Sequence, residues 1–179
     1  MSFKVAIVGH SQVPVSLANI EGTEIRIFRQ GGAYIADIYS KPHLNESFSW
    51  GQDLTVLFIG GNDFPANSKE SVTTDLLKLV QDYQETGSRV AVFLIESREY
   101  QIPNRFNIRN EDYKVFQSYV NNRLKKVSSK RGFRTINLTR TVFETNRSDG
   151  VHFNAVGQGL IKTKIRQCVM NHLPESSAN

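Results

Sequence analysis

Five short apolar runs recur along the chain, and between them apolar positions fall three and four residues apart. The first run, Phe3-Lys4-Val5-Ala6-Ile7-Val8, is rich in β-branched side chains and bounded by Gly9, the pattern of a short buried strand. Glu24 to Phe28 alternates polar and apolar and reads as the second strand. Asp53 to Ile59, Arg89 to Ile95 and Phe133 to Leu138 read as the third, fourth and fifth. The helical period lies between them. Asn67, with Glu70 three residues on, makes a capping-box-like start for a helix with Leu76, Leu77, Val80 and Tyr83 inward, ended by Gly87. A second helix is expected from Glu111 to Lys130, with Tyr113, Phe116, Tyr119, Val120 and Leu124 inward and Gly132 as its stop. A third runs from Asn154 to His172, with Leu160, Ile161, Ile165, Val169 and Met170 inward and Pro174 beyond it. Pro14 to Asn19 and Ala33 to Ser40 read as short helices.

Strands alternating with helices imply a parallel sheet covered on both faces. Right-handed crossovers favour an α/β fold of the flavodoxin-like kind, a three-layer α/β/α sandwich on a five-stranded sheet of order 2-1-3-4-5. In such sheets ligands bind at the carboxyl ends of the strands, where the strand order reverses. That point lies between the first and third strands, directly over Ser11. The 179 residues suit one domain, expected over residues 1–174, with a polar tail from Glu175 to Asn179.

Composition narrows the classes. Hydrophobic residues make up 39% and charged residues 22%, ordinary for a soluble globular protein, so a cytoplasmic protein is expected. No apolar run is long enough for a transmembrane helix, and the N-terminus enters a strand without the pattern of a signal peptide. The single Cys168 rules out an internal disulfide framework and reads as a buried thiol in the last helix. His10, His43, His152 and His172 are scattered, and no Cys/His cluster has metal-ligand spacing, so neither metal nor cofactor is expected. The net charge of +5 is concentrated between Arg98 and Arg147, which permits an anionic partner without demanding one.

Four segments at strand ends carry residues suited to acyl transfer: Gly9-His10-Ser11-Gln12, Gln30-Gly31-Gly32-Ala33, Gly60-Gly61-Asn62-Asp63 and Asp149-Gly150-Val151-His152. A serine hydroxyl is a weak nucleophile and needs a base; His152 can supply it. A histidine base needs an acceptor on its other nitrogen, and Asp149 stands three residues earlier across a glycine. The developing oxyanion needs donors. The backbone N–H groups of Ser11 and Gly32 and the side-chain amide of Asn62 can provide them.

These segments, in this order, resemble the blocks of the SGNH hydrolases, the GDSL-like lipase and esterase superfamily. The resemblance runs from Val5 to about Leu173. Ser11 matches the block I nucleophile, Gly32 the block II glycine, Asn62 the block III asparagine, and Asp149 with His152 the block V pair. It implies the same three-layer fold and a metal-independent serine esterase. Block I usually reads Gly-Asp-Ser-Leu. Here His10 replaces the aspartate that helps to fix the nucleophile loop, and a less rigid loop is expected. Within the superfamily the chain looks most like the esterase domain in the first-open-reading-frame protein of some LINE-type retrotransposons. The basis is the Gly-His-Ser-Gln start, the compact size and the basic second half. That likeness implies further domains in a larger parent protein.

The segments near Ser11 are short and leave little wall for a fatty chain, so a small acyl ester is the expected substrate. The long segment from Glu96 to Asn110 carries Arg98, Tyr100, Arg105, Phe106 and Arg109, which suits an anionic alcohol, RNA or anionic lipid. The rival reading is a binding module on the same fold with vestigial catalysis. A nucleotide-binding domain is disfavoured, because neither a Gly-x-Gly-x-x-Gly nor a Walker lysine motif occurs.

Overall fold

The computed structural model describes residues 1–138 and 151–175. Five parallel strands form one sheet in the order β2-β1-β3-β4-β5: β1 Phe3–Gly9, β2 Thr23–Arg29, β3 Leu54–Phe58, β4 Arg89–Phe93 and β5 Arg134–Ile136. The helices are α1 Ile35–Ser40, α2 Pro42–Asn45, α3 Lys69–Glu85, α4 Asn110–Arg131 and α5 Ala155–His172. The expected strand order is the observed one.

Side chains of a strand alternate between faces, and here both faces are buried. Ala6 and Val8 of β1, Leu57 of β3, and Val90 and Val92 of β4 join a core with residues of α1, α3 and α4. Val5 and Ile7, Leu54, Val56 and Phe58, and Ala91 and Phe93 point the other way, into a core closed by Ile161, Ile165 and Val169 of α5. Two cores on one sheet make the three-layer sandwich. Among the described residues no helix is long and apolar enough to cross a membrane.

Several local expectations are corrected. Pro14 to Asn19 forms no helix. Its N-terminal neighbours are drawn instead toward β2, where Arg29 donates to the carbonyls of Ser11 and Val13 at 3.0 and 2.9 Å. The cap of α3 is Ser68, whose hydroxyl accepts from Ser71 N, while Asn67 reaches back to Asp63. Tyr119 and Met170 lie outward at 40% and 54% exposure, because the apolar stripe of each helix is narrower than the sheet-facing arc of its sequence pattern. In α5, Gly157 and Cys168 take buried positions. Burial raises the Cys168 thiol to about 11, outweighing the nearby Arg134, so it stays protonated at neutral pH.

Candidate active site

The site begins where β1 presses on β3. A Cβ at Gly9 would stand 1.9 Å from the carbonyl oxygen of Phe58, so only hydrogen fits there. One residue on, His10 N donates to that same oxygen at 3.1 Å. The chain then turns through Ser11, and Val13 N closes the turn onto His10 O at 3.0 Å.

His10 is fully buried against the ring of Phe58, with centroids 4.8 Å apart. Its Nδ1 accepts the backbone N–H of Gln12 at 3.2 Å. That bond puts the ring proton on Nε2. Where the family's aspartate would accept, the imidazole is itself an acceptor inside the turn, and Arg29 holds the turn's carbonyls from β2.

Gly32 lies in a turn in which Ala33 N donates to Gln30 O at 3.2 Å, and its φ of +70° favours glycine. Beyond β3 the chain makes a 3-10 turn over Gly61–Asp63. Asn62 Nδ2 donates to Ala33 O at 3.2 Å, tying the third segment to the second. Its Oδ1 accepts from Arg98 Nη1 at 3.0 Å. An amide nitrogen has two hydrogens, so one remains for a substrate oxygen. Asp63, 2% exposed, accepts from Ile35 N at 3.2 Å and from Asn67 Nδ2 at 3.4 Å, fastening this turn to the start of α1. Burial pushes its carboxyl up to about 6, against the pull of those two donors.

His152 lies just before α5, which Asn154 caps by accepting from Gly157 N. The side chain of Gln12 brackets it: Nε2 donates to Val151 O at 2.6 Å, and Oε1 accepts from Phe153 N at 3.3 Å. The residue after Ser11 thus grips the loop that carries His152. Ser11, Gly32, Asn62 and His152, drawn from four separated segments, border one cavity of about 700 Å³. Asp149 lies outside the described residues.

The residues expected to meet an anionic partner divide. Arg98 is no free surface arm: it is 6% exposed, donates to Glu96 Oε1 from Nε at 2.8 Å and Nη2 at 2.5 Å, and also meets Asn62 and the Tyr100 hydroxyl. Tyr100 is half-buried and packs in a T-shaped contact with Tyr113, centroids 5.5 Å apart. Both still border the cavity. Arg105 and Phe106 are exposed, the guanidinium 4.4 Å from the ring centroid. Exposed Arg109 approaches Glu111 at 3.7 Å. Among the described residues no group of three or more His, Cys, Asp or Glu side chains is placed to hold a metal ion.

Sequence reasoning missed Gln12, Arg29 and Glu96. For Glu96 a signal existed: opposite charges at i and i+2 of an extended segment lie on one side of the backbone. The roles of Gln12 and Arg29 depend on contacts across the fold and left no local mark.

Residues 15–165 match the family model described as GDSL-like lipase/acylhydrolase, a span that begins just after Ser11 and includes Gly32, Asn62, Asp149 and His152. A search of curated protein sequences found no match. Among solved structures, a lipase/acylhydrolase from Enterococcus faecalis superposes with a TM-score of 0.71 at 17% identity, covering 99% of this chain and 100% of that one. A member of the lipolytic protein G-D-S-L family from Veillonella parvula gives 0.73 at 20% identity, with 95% and 99% covered. An acetyl xylan esterase gives 0.70 at 18%, with 93% and 99% covered.

Proposed function

The chain belongs to the GDSL-like lipase/acylhydrolase family of ester hydrolases, and on that premise we propose that it is a serine esterase cleaving small, acetyl-type acyl esters. The observation that carries the reading is the meeting of Ser11, Gly32, Asn62 and His152 around one cavity at the carboxyl ends of the strands. Ser11 Oγ attacks the ester carbonyl while His152 takes its proton. The oxyanion is met by the N–H groups of Ser11 and Gly32 and by Asn62 Nδ2. On collapse the C–O bond to the alcohol breaks, and His152 returns the proton to the departing oxygen. Water, deprotonated by the same imidazole, then releases the acid from Ser11. Asp149, three residues before His152, orients the ring.

Arg98, Gln101 and Asn104 share the cavity wall with Phe64 and Phe106, a mixed lining that suits an acetylated polar alcohol more than a fatty chain. Hydrolysis of p-nitrophenyl esters of increasing chain length by wild type and Ser11→Ala tests this. Acetyl is expected to be the best substrate, and Ser11→Ala to lose several orders of magnitude in rate. Retention of more than about a tenth of the activity would remove Ser11 as nucleophile.

A second reading, electrostatic binding of RNA or anionic lipid beside catalysis or in place of it, is favoured by a groove of about 750 Å³ between α3 and α4, which Arg123, Lys126 and Arg131 border. Binding to an RNA oligomer or to anionic vesicles is expected to weaken steeply with salt and with Arg123→Ala/Arg131→Ala. The Gly-His-Ser-Gln start, compact size and basic second half support placing the domain in a cytoplasmic, retrotransposon-encoded parent protein with further domains. A reverse-transcriptase reading frame beside the gene is the expected neighbour.

A further inference from the structure

We propose that the buried Glu96–Arg98 pair is a positioning device that sets the oxyanion amide of Asn62 and the Ser11 turn relative to one another. The inference rests on the esterase reading. It starts from a continuous run of contacts. Arg98 Nη1 donates to Asn62 Oδ1 at 3.0 Å, and Nε and Nη2 donate to Glu96 Oε1. The same Oε1 stands 3.5 Å from His10 Nε2, and His10 Nδ1 holds the N–H of Gln12, the residue after Ser11. The backbone oxygen of Glu96 accepts from the hydroxyl of Tyr113 at 2.7 Å, so the pair is anchored to α4 rather than to either loop it serves.

The chemistry of each group makes the arrangement directional. A guanidinium has donors only, so it can face only the oxygen of a carboxamide. Arg98 therefore fixes which way Asn62 points: oxygen toward the ion pair, nitrogen toward Ala33 and the cavity. A carboxamide turned the other way would present its own lone pairs to a developing oxyanion. The proton of His10, placed on Nε2 by the bond at Nδ1, is directed at Glu96 in the same sense. Ion pairs taken out of water are costly and are often replaceable by apolar side chains without loss of stability. Here Glu96 is 2% exposed, and among the described residues its Oε2 and His10 Nε2 have no hydrogen-bond partner. The backbone is shaped to the pair: a Cβ at Gly61, next to Asn62, would stand 2.7 Å from Glu96 Oε1 and 2.8 Å from Arg98 Nη2. A purely stabilising pair has no need of this closeness to an oxyanion residue.

The test removes both charges at once with Glu96→Gln/Arg98→Met, so that neither is stranded. Steady-state hydrolysis of p-nitrophenyl acetate is measured for wild type, this variant, Asn62→Ala and the combination. The expected result is a kcat at least about tenfold lower with KM within about twofold, and less than about a further twofold loss in the Asn62→Ala background. An unchanged kcat, or an equal loss with and without Asn62, overturns the proposal. Should the double variant not melt cooperatively, Arg98→Lys, which keeps the buried charges balanced, is read by the same outcomes. The Asn62 side-chain and Gln12 backbone amide signals are followed by NMR in all variants. Both are expected to shift together, and unmoved signals overturn the positioning role whatever the activity. Failure of wild type to hydrolyse the ester, by contrast, refutes the esterase reading itself.

Discussion

Asn62 makes one bond with each end of its carboxamide, and that defines what its loss should do. Asn62→Ala leaves the cavity wall otherwise intact, so turnover should fall about a hundredfold with little change in KM, as for a donor that acts in the transition state. Steady-state kinetics on the acetyl ester checks it; a pure KM defect would place Asn62 in substrate recognition. Its neighbour Asp63 makes a stability prediction. Its carboxyl is raised from 3.8 to about 6 by burial, so the stability it contributes is fully present below 3.8 and lost as pH rises through about 6. Glu96 runs in the opposite sense. Burial would raise its carboxyl, but Arg98, and then His10, outweigh burial and bring it from 4.5 to about 2. Its contribution is present above 4.5 and lost as pH falls through about 2. Melting temperatures across this range should show wild type losing ground to Asp63→Asn toward pH 6 and to Glu96→Gln/Arg98→Met toward pH 2. The convergence of Ser11, Gly32, Asn62 and His152 on one cavity was legible, because residue type and a place at a strand end are both local properties. The inner role of Arg98 was not, because whether an arginine reaches water or Glu96 is decided by packing around it.

At the scale of elements, strands were legible throughout, because two buried faces leave a continuous apolar run that turns punctuate. Helix stripes were legible at their centres and misread at their edges. Whether Tyr119 or Met170 is covered depends on the neighbour's width, not on the helix's own period. Pro14 to Asn19 was misread as a helix for a related reason, since Arg29 of β2 holds the carbonyls of Ser11 and Val13 just before it. Two predictions belong here. Gln12 joins the Ser11 turn to the His152 loop, so Gln12→Ala should lower kcat about tenfold or more and, by leaving the buried Phe153 N–H without its acceptor, lower the melting temperature as well. An unaffected kcat would leave Gln12 a structural tie between the two loops with no part in catalysis. Gly9→Ala acts on the fold instead. The added carbon meets the backbone of β3 at 1.9 Å, which no rotamer can relieve, so the variant should melt well below wild type or fail to fold. Thermal unfolding followed by circular dichroism distinguishes the two cases.

In the whole molecule, the sheet order places the ends of β1 and β3 side by side, and everything chemical gathers there. The three-layer sandwich followed from alternating strands and helices with right-handed crossovers, and the expected order is the observed one. The cavity's walls were not legible, since they come from segments that only the finished fold brings together. The bracket of Gln12 around His152 spans 139 and 141 residues of chain. The chain is made from one end to the other, and all five strands have been synthesised by Ile136. At that stage Val5, Ile7, Val56 and Phe93 still await the cover that α5 will supply. The residues through α5 must therefore leave the ribosome before Ser11 and His152 can meet on the finished sheet. On the esterase reading, cleavage then reports that the chain has folded as far as α5, and an amino-terminal fragment ending before His152 cannot hydrolyse an ester by this route.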